Sequence, residues 1–186
     1  MSIGEKCGWE VKMNILVFSD SHGYHYFMRK ALSLHPDCEV VFFLGDGICD
    51  LEQIYESFPT VKFLAVRGNC DSGFISMGRA IPKTADIELI SNKIVYTHGD
   101  LIGVKYGIAG ALKLAAESSA DILLFGHTHS PVVAYIPEEV AEKEGVILKK
   151  PVYLMNPGAV GLNGSTSYGI ITLTEGEPLL SHGTFL

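Results

Sequence analysis

The sequence predicts an α/β fold, and three observations predict it. Short apolar runs rich in β-branched and aromatic residues recur between Asn14 and Gly126, segments of helical spacing separate the first three, and five runs are followed by Asp, Asn or His. A run of this length and composition, bounded by Gly and polar residues, reads as a buried strand. Strands and helices in alternation mark parallel strands joined by crossover helices. In open sheets of this kind, sites form beyond the carboxyl ends of the strands. Five such ends carrying only Asp, Asn and His point to one polynuclear metal site.

The first run, Asn14 to Ser19, leads to Asp20 and His22. Tyr24 to His35 then places Phe27, Ala31, Leu32 and Leu34 at helical spacing until Pro36 stops the pattern. Val40 to Gly45 leads to Asp46, and Asp50 to Phe58 follows with Leu51, Ile54, Tyr55 and Phe58 on one helical face. Val61 to Gly68 leads to Asn69, Lys93 to Thr97 leads to His98, and Asp121 to Gly126 leads to His127 and His129. Between the last two runs, Ile102 to Ser119 predicts a third helix with Val104, Ile108, Leu112 and Ala115 or Ala116 inward. Gly103, Gly107 and Gly110 either weaken its first turns or permit close packing. Beyond His129, Pro131 to Ile136, Val152 to Met155 and Tyr168 to Leu173 have no clear helix between them, which predicts antiparallel strands in a second sheet or at an edge. The charged insert Pro137 to Lys150 reads as a hairpin or as a short helix stopped by Gly145. Residues 1–12 show no periodicity and form a loose lead-in to a single domain over residues 13–186.

Composition narrows the function. The chain has 186 residues, 47% hydrophobic and 19% charged, an ordinary balance for a folded domain. No apolar run approaches the ~20 residues that span a bilayer, and the first ten residues lack the apolar core of a signal peptide, so a cytoplasmic protein is expected. Cys7, Cys38, Cys49 and Cys70 form no Cys-x-x-Cys pair, and reduced thiols are expected. A net charge of −7 disfavours diffuse binding to nucleic acid or an anionic membrane. An anionic substrate would need local positive charge, which two divalent cations supply.

Asp20 and His22 are two residues apart, so in extended backbone their side chains point the same way, and His127 and His129 repeat the arrangement. The other histidines, His25, His35 and His182, read as structural or surface residues. Imidazole and carboxylate donors without thiolate suit manganese, iron, nickel, cobalt or zinc in a catalytic site rather than a closed structural zinc site. Two dications against two carboxylates leave such a site positive. Paired metals ~3.5–4 Å apart can lower the pKa of a bridging water and clamp phosphoryl oxygens.

Asp20-Ser21-His22, Gly45-Asp46, Gly68-Asn69, His98-Gly99 and Gly126-His127-Thr128-His129 occur in that order. This combination resembles the calcineurin-like metallophosphoesterases. Arg67-Gly68-Asn69-Cys70-Asp71, Asn156-Pro157-Gly158 and the small size further resemble their small bacterial and archaeal phosphodiesterase branch. The resemblance implies a four-layer α/β/β/α sandwich of two mixed sheets. It assigns Asp20, His22 and His129 to one metal, Asn69, His98 and His127 to the other, and Asp46 to the bridge, with manganese as the first choice of metal. It implies a dinuclear metal-dependent phosphodiesterase that hydrolyses a small phosphate ester by attack of a metal-bridging hydroxide. Asp46, Asn69, Arg67 and Asp100 are the candidate catalytic residues, Arg67 either neutralising the phosphate or making a structural ion pair.

Two positions depart from the pattern. Many larger relatives have His-Glu where this chain has Cys70-Asp71, and Cys70 is a poor substitute for an imidazolium as proton donor. Cys70 then reads foremost as a small packing residue, and esters with acidic leaving groups should turn over best. A flat dependence of rate on leaving-group pKa would count against that expectation. Asp100 stands where small relatives often have His, and its carboxylate is expected to repel dianionic monoesters and favour diesters. The alternatives are a phosphomonoesterase or nuclease on the same site, and a protein-interaction scaffold similar to the eukaryotic retromer subunit. A homo-oligomer is compatible with the sequence, and the apolar segment Gly73 to Ile81 and the insert after Ile136 are places for partners.

Overall fold

The computed structural model describes residues 11–72, 75–76, 78–161 and 166–185. Residues 1–10 of the expected lead-in, and Gly73, Phe74 and Met77 of the apolar segment, lie outside the described residues. In chain order the elements are β1 (Met13–Phe18), α1 (Tyr26–Leu34), β2 (Cys38–Phe43), α2 (Ile48–Glu52), β3 (Lys62–Ala65), β4 (Ile75–Ser76) and β5 (Arg79–Ala80). Next come β6 (Thr84–Leu89), β7 (Asn92–Thr97), α3 (Ala109–Ser118), β8 (Ile122–Leu124) and β9 (Val132–Ile136). The chain continues with α4 (Glu138–Lys143), β10 (Val152–Asn156), β11 (Ser167–Leu173) and β12 (Leu179–Thr184).

Two five-stranded sheets carry the fold, ordered β12-β11-β1-β2-β3 and β6-β7-β8-β10-β9. Both are mixed. In the first, β1, β2 and β3 run parallel while β11 is antiparallel to β1 and to β12. In the second, β7, β8 and β10 run parallel, flanked by antiparallel β6 and β9.

The two-residue period of a strand sorts its side chains between layers. In β1, Leu16 and Phe18 pack with Met28, Ala31 and Leu32 of α1, whereas Ile15 and Val17 enter a second cluster. That second cluster joins Phe42 and Leu64 of one sheet to Tyr96, Ile122 and Met155 of the other. On the far face of the second sheet, Val95 and Leu123 pack against Leu112 and Ala115 of α3 and Ala141 of α4. The result is four layers, α/β/β/α. Each fully buried Ile, Leu or Phe in these clusters contributes about 1.5–3 kcal/mol relative to exposure.

Several elements differ from the sequence reading. In α1 it is Met28, Ala31 and Leu32, spaced i, i+3, i+4, that face the core, and Leu34 is 60% exposed. The segment expected as one helix over Asp50 to Phe58 is the short α2 followed by a 3₁₀ turn at Tyr55–Ser57. The third helix starts only at Ala109, because Gly103 (φ +67°) and Gly107 (φ +135°) end two preceding 3₁₀ turns. Gly110 serves close packing: a Cβ there would lie 1.9 Å from the Ile102 carbonyl oxygen. β9 and β10 pair antiparallel in the second sheet, but β11 lies inside the first, between β1 and β12. The 137–150 insert takes its short-helix form as α4, with Gly145 at φ +74° just past it. Among the described residues no helix is long and apolar enough to cross a membrane.

Candidate metal centre

The carboxyl ends of β1, β2 and β3 from one sheet and of β7 and β8 from the other deliver seven side chains to one place. Backbone hydrogen bonds hold their loops together: Asp20 N–H to Gly45 O at 2.9 Å, His22 N–H to Asp46 O at 3.1 Å, Gly126 N–H to His98 O at 2.9 Å. Asp20, His22, Asp46, His127 and His129 all have positive φ, between 45° and 67°. Such backbone persists for non-glycine residues only where the surroundings determine it, and it clusters at functional sites.

One cluster centres on Asp20, which is fully buried. Its Oδ2 accepts from the Ser19 hydroxyl at 2.5 Å and from the His127 N–H at 3.1 Å. Oδ1 is buried without a hydrogen-bond partner, 3.1 Å from His129 Nε2 and 3.8 Å from His22 Nε2, and those two nitrogens are 3.4 Å apart. The second cluster centres on His98. Its Nδ1–H donates to the Leu44 carbonyl at 2.8 Å, which in the neutral ring leaves Nε2 as a lone pair. That Nε2 lies 3.1 Å from Asn69 Oδ1, 3.1 Å from His127 Nδ1 and 3.4 Å from Asp46 Oδ2. Carboxylate and amide oxygens and imidazole nitrogens therefore crowd together in both places, an arrangement that costs free energy unless a cation or a proton lies between them. The donor set, oxygen and imidazole from rigid loops, fits divalent cations.

The ionisation of the residues reports the same crowding. Burial opposes charge on His98, but its hydrogen bond to Asp46 and the nearby Asp20 carboxylate outweigh burial and raise its pKa. Burial likewise disfavours the Asp46 carboxylate, yet His98 and the Cys70 N–H hold it well below the usual carboxylate range. His127 is lowered, first by burial and then by the neighbouring His98 and Lys105 charges. A proton and a metal ion would thus compete for the same atoms.

Residues behind the clusters fix the loops, and sequence reasoning gave them no such role. The Asp71 carboxylate accepts four backbone N–H groups, from Asp46 (2.8 Å), Gly47 (2.8 Å), Ile48 (2.9 Å) and Gly68 (2.8 Å). Asp50 is buried and accepts from Ser21 Oγ at 2.6 Å and Gly23 N–H at 2.7 Å, tying the first ligand loop to α2. The fully buried Asn156 donates to Gly126 O and Thr128 Oγ1, both at 2.9 Å, and so holds the loop of His127 and His129. Its neighbours Pro157 and Gly158 had marked this stretch only as a likeness. Gly161 has no room for a side chain, since a Cβ would fall 1.8 Å from Ser21 O.

Arg67 is half-buried just past β3, its backbone N–H bonded to Pro82 O at 2.9 Å. Asp100 is not an isolated negative charge: Lys83 Nζ lies 3.0 Å from its Oδ2 and also donates to Gly68 O at 2.8 Å. Lys83 escaped the sequence reading because its partner is 17 residues away. His35 and His182 make hydrogen bonds elsewhere, to the Tyr168 hydroxyl at 3.0 Å and to Asn156 O at 2.8 Å. Among the described residues Cys38, Cys49 and Cys70 are free thiols.

With this geometry in view, similarity to known proteins becomes informative. Residues 13–176 match the calcineurin-like phosphoesterase superfamily domain. The chain is 29% identical over 164 residues to a probable metallophosphoesterase, YsnB, of Bacillus subtilis, covering 87% of this chain and 85% of that protein. It is 34% identical over 116 residues to the phosphodiesterase YfcE of Escherichia coli, covering 59% of this chain and about half, 52%, of YfcE. Among solved structures, an uncharacterized protein of Streptococcus pneumoniae described as a predicted phosphoesterase superposes with a TM-score of 0.67 at 25% identity, over 94% of this chain and 90% of that one. Vacuolar protein sorting 29 of Cryptosporidium parvum superposes with a TM-score of 0.69 at 16% identity, over 94% and 98%, a likeness of fold. Given the domain match over nearly the whole described chain, the two mixed sheets between helices, and Asp, Asn and His gathered at five strand ends, this chain belongs to the calcineurin-like phosphoesterase superfamily.

Proposed function

We propose that the chain is a dinuclear metal-dependent phosphodiesterase acting on small phosphate esters in the cytoplasm. The observation that carries this reading is the crowding of potential ligand atoms: Asp20 Oδ1 buried without a hydrogen-bond partner, and His98 Nε2 facing Asn69 Oδ1, His127 Nδ1 and Asp46 Oδ2. Asp20, His22 and His129 would hold one cation, Asn69, His98 and His127 the other, and Asp46 would serve both. Such a pair of cations, manganese foremost, would supply Lewis acidity toward water and positive charge to offset the phosphoryl oxygens. The chain's own part is orientation: the Leu44 carbonyl fixes the His98 ring, and the neutral Asn69 oxygen keeps the site positive. Arg67 is assigned to the phosphate charge. With the exposed Cys70 in the place of an imidazole, the leaving group receives little proton assistance, so the rate rises steeply as leaving-group pKa falls. A series of aryl phosphodiesters measures that slope.

The Asp100–Lys83 pair changes the expectation for substrate charge. In the pair the two charges offset one another, and Asp100→Asn leaves Lys83 uncompensated beside Gly68. The variant is therefore expected to shift the ratio of monoester to diester kcat/KM upward, by about 3- to 10-fold for a partly screened unit charge. An unchanged ratio removes Asp100 from substrate selection.

The decisive experiment measures metal content of the purified protein and hydrolysis of a bis-aryl and a mono-aryl phosphate, with and without Mn²⁺. Two metals per chain with faster diester turnover is the expected result. Faster monoester turnover moves the reading to a phosphomonoesterase. A protein that neither binds metal nor is rescued by Mn²⁺ returns it to the interaction scaffold, which the fold likeness to vacuolar protein sorting 29 favours.

A further inference from the structure

Cys70 stands where the two clusters open to solvent, and the proposed hydrolytic site makes no use of its sulfur. Its Sγ, a carboxylate oxygen of Asp46 and a ring nitrogen of His22 all lie within 4.8 Å of one another. The Asn69 amide donates to Sγ at 3.2 Å, and the Cys70 backbone N–H donates to Asp46 Oδ1 at 2.8 Å, so the residue is fixed against both clusters. Its side chain is exposed on the wall of a cavity of about 340 Å³ that His22, Asp46 and Cys49 also line. An ion can therefore reach the sulfur from solvent without any rearrangement of the core.

Ligand softness decides which ion would use it. Manganese and magnesium take oxygen and imidazole, whereas zinc and cadmium gain from thiolate. His22, Asp46 and Cys70 offer one nitrogen, one oxygen and one sulfur, a donor set for a thiophilic ion with a position left for solvent. We propose that His22, Asp46 and Cys70 form an alternative site for a strongly thiophilic dication such as Cd²⁺, and that occupation of this site withdraws His22 and Asp46 from the hydrolytic arrangement. The inference rests on the reading of the two clusters as a metal centre. On binding, the thiol proton passes to solvent and the sulfur lone pair goes to the ion; nothing is oxidised or reduced. Ions that prefer oxygen and imidazole then activate the protein, and strongly thiophilic ions inhibit it through the sulfur of Cys70.

The test uses chelator-stripped protein carrying Cys49→Ser, so that the second thiol of the cavity is silent, titrated with Cd²⁺ alone. A thiolate-to-cadmium charge-transfer band in the ultraviolet that saturates with a single ion per chain is expected. Adding Cys70→Ala is expected to abolish the band and to weaken Cd²⁺ binding by about 10-fold or more. Cys70→Ser, which keeps a hydrogen-bonding side chain, is expected to behave as Cys70→Ala does. Absence of the band with Cys70 present, or an equal band when it is replaced, overturns the proposal. Mn²⁺ stoichiometry by electron paramagnetic resonance on the same samples separates the two readings. Two bound Mn²⁺ and hydrolysis without a cadmium–sulfur band would sink the thiophilic site alone. A Cys70-dependent band in a protein that binds no Mn²⁺ would sink the proposed function, and with it the inhibitory role, while the thiophilic site itself would stand.

Discussion

Asp46→Asn is expected to reduce kcat on a bis-aryl phosphate by on the order of 10³-fold, about 4 kcal/mol in barrier, more than replacement of any other ligand. Asp46 belongs to the potential ligand group of His98 and His127 and also lies within 4.8 Å of a ring nitrogen of His22, a member of the group built on Asp20, so its carboxylate stands between the two clusters. It is 3% exposed, and its second oxygen is already occupied by the Cys70 N–H at 2.8 Å. An amide in its place keeps the shape but removes the charge that allows one oxygen to serve two cations. The variant should also bind fewer metal ions while melting within a few degrees of the parent in the metal-free state. Activity within tenfold of the parent at full metal loading would show that Asp46 does not bridge.

The second large effect is expected from a residue with no role in the sequence reading. Asp71→Ala removes the acceptor for four backbone N–H groups at once, and Asp71→Asn retains a single side-chain oxygen for them. Hydrogen bonds to a charged acceptor contribute about 1.5–3 kcal/mol each when well formed. Since Asp71 is half-buried and water can reach part of the loop, a total loss of about 3 kcal/mol is expected for Asp71→Ala. Denaturant unfolding of the metal-free protein measures it. The same substitution releases Asp46 from its left-handed conformation at φ +58°, so kcat should fall by roughly 10²-fold at equal metal content. A stable variant with parental kcat would show that the loop is held by its neighbours alone.

Much of the architecture was legible because the buried strands obey simple rules. Val40, Val41, Phe42 and Phe43 of β2 are all buried, and a continuous apolar run of that kind signals a strand covered on both faces. The strand ends were legible through Gly45, Gly68 and Gly126, which punctuate the runs just before Asp46, Asn69 and His127. Of the four edge strands β3 and β9 were legible, whereas β6 and β12 were not. β6 reads Thr-Ala-Asp-Ile-Glu-Leu and alternates exposed with half-buried residues, so its signal is the weak one of a strand with one wet face. β12 carries Ser181, His182 and Gly183 and is likewise an edge. The anchoring role of Asp71 was hidden for a different reason: three of its partners are backbone groups 23 to 25 residues away, and backbone has no sequence signature. The Lys83–Asp100 pair was hidden by the same distance in sequence. Side chains that terminate strands can be read locally, whereas the contacts that hold loops to one another depend on which strands become neighbours.

The position of β1 bears on how the protein is made. This strand leads into Asp20 and His22, and it lies between β2, which follows at once, and β11, which begins at Ser167. The Ser19 and Asp20 carbonyls also wait for late partners, the N–H groups of Val160 and Gly161. At ordinary rates of synthesis, the roughly 150 residues between β1 and β11 take on the order of 10–30 s to appear. For that time a nascent chain presents the open edge of an apolar strand, the kind of surface that recruits other unfinished chains or a chaperone. Ribosome-bound intermediates ending before residue 167 would thus hold their first ligand pair on a half-built support, and the centre would become complete only after β11 had emerged.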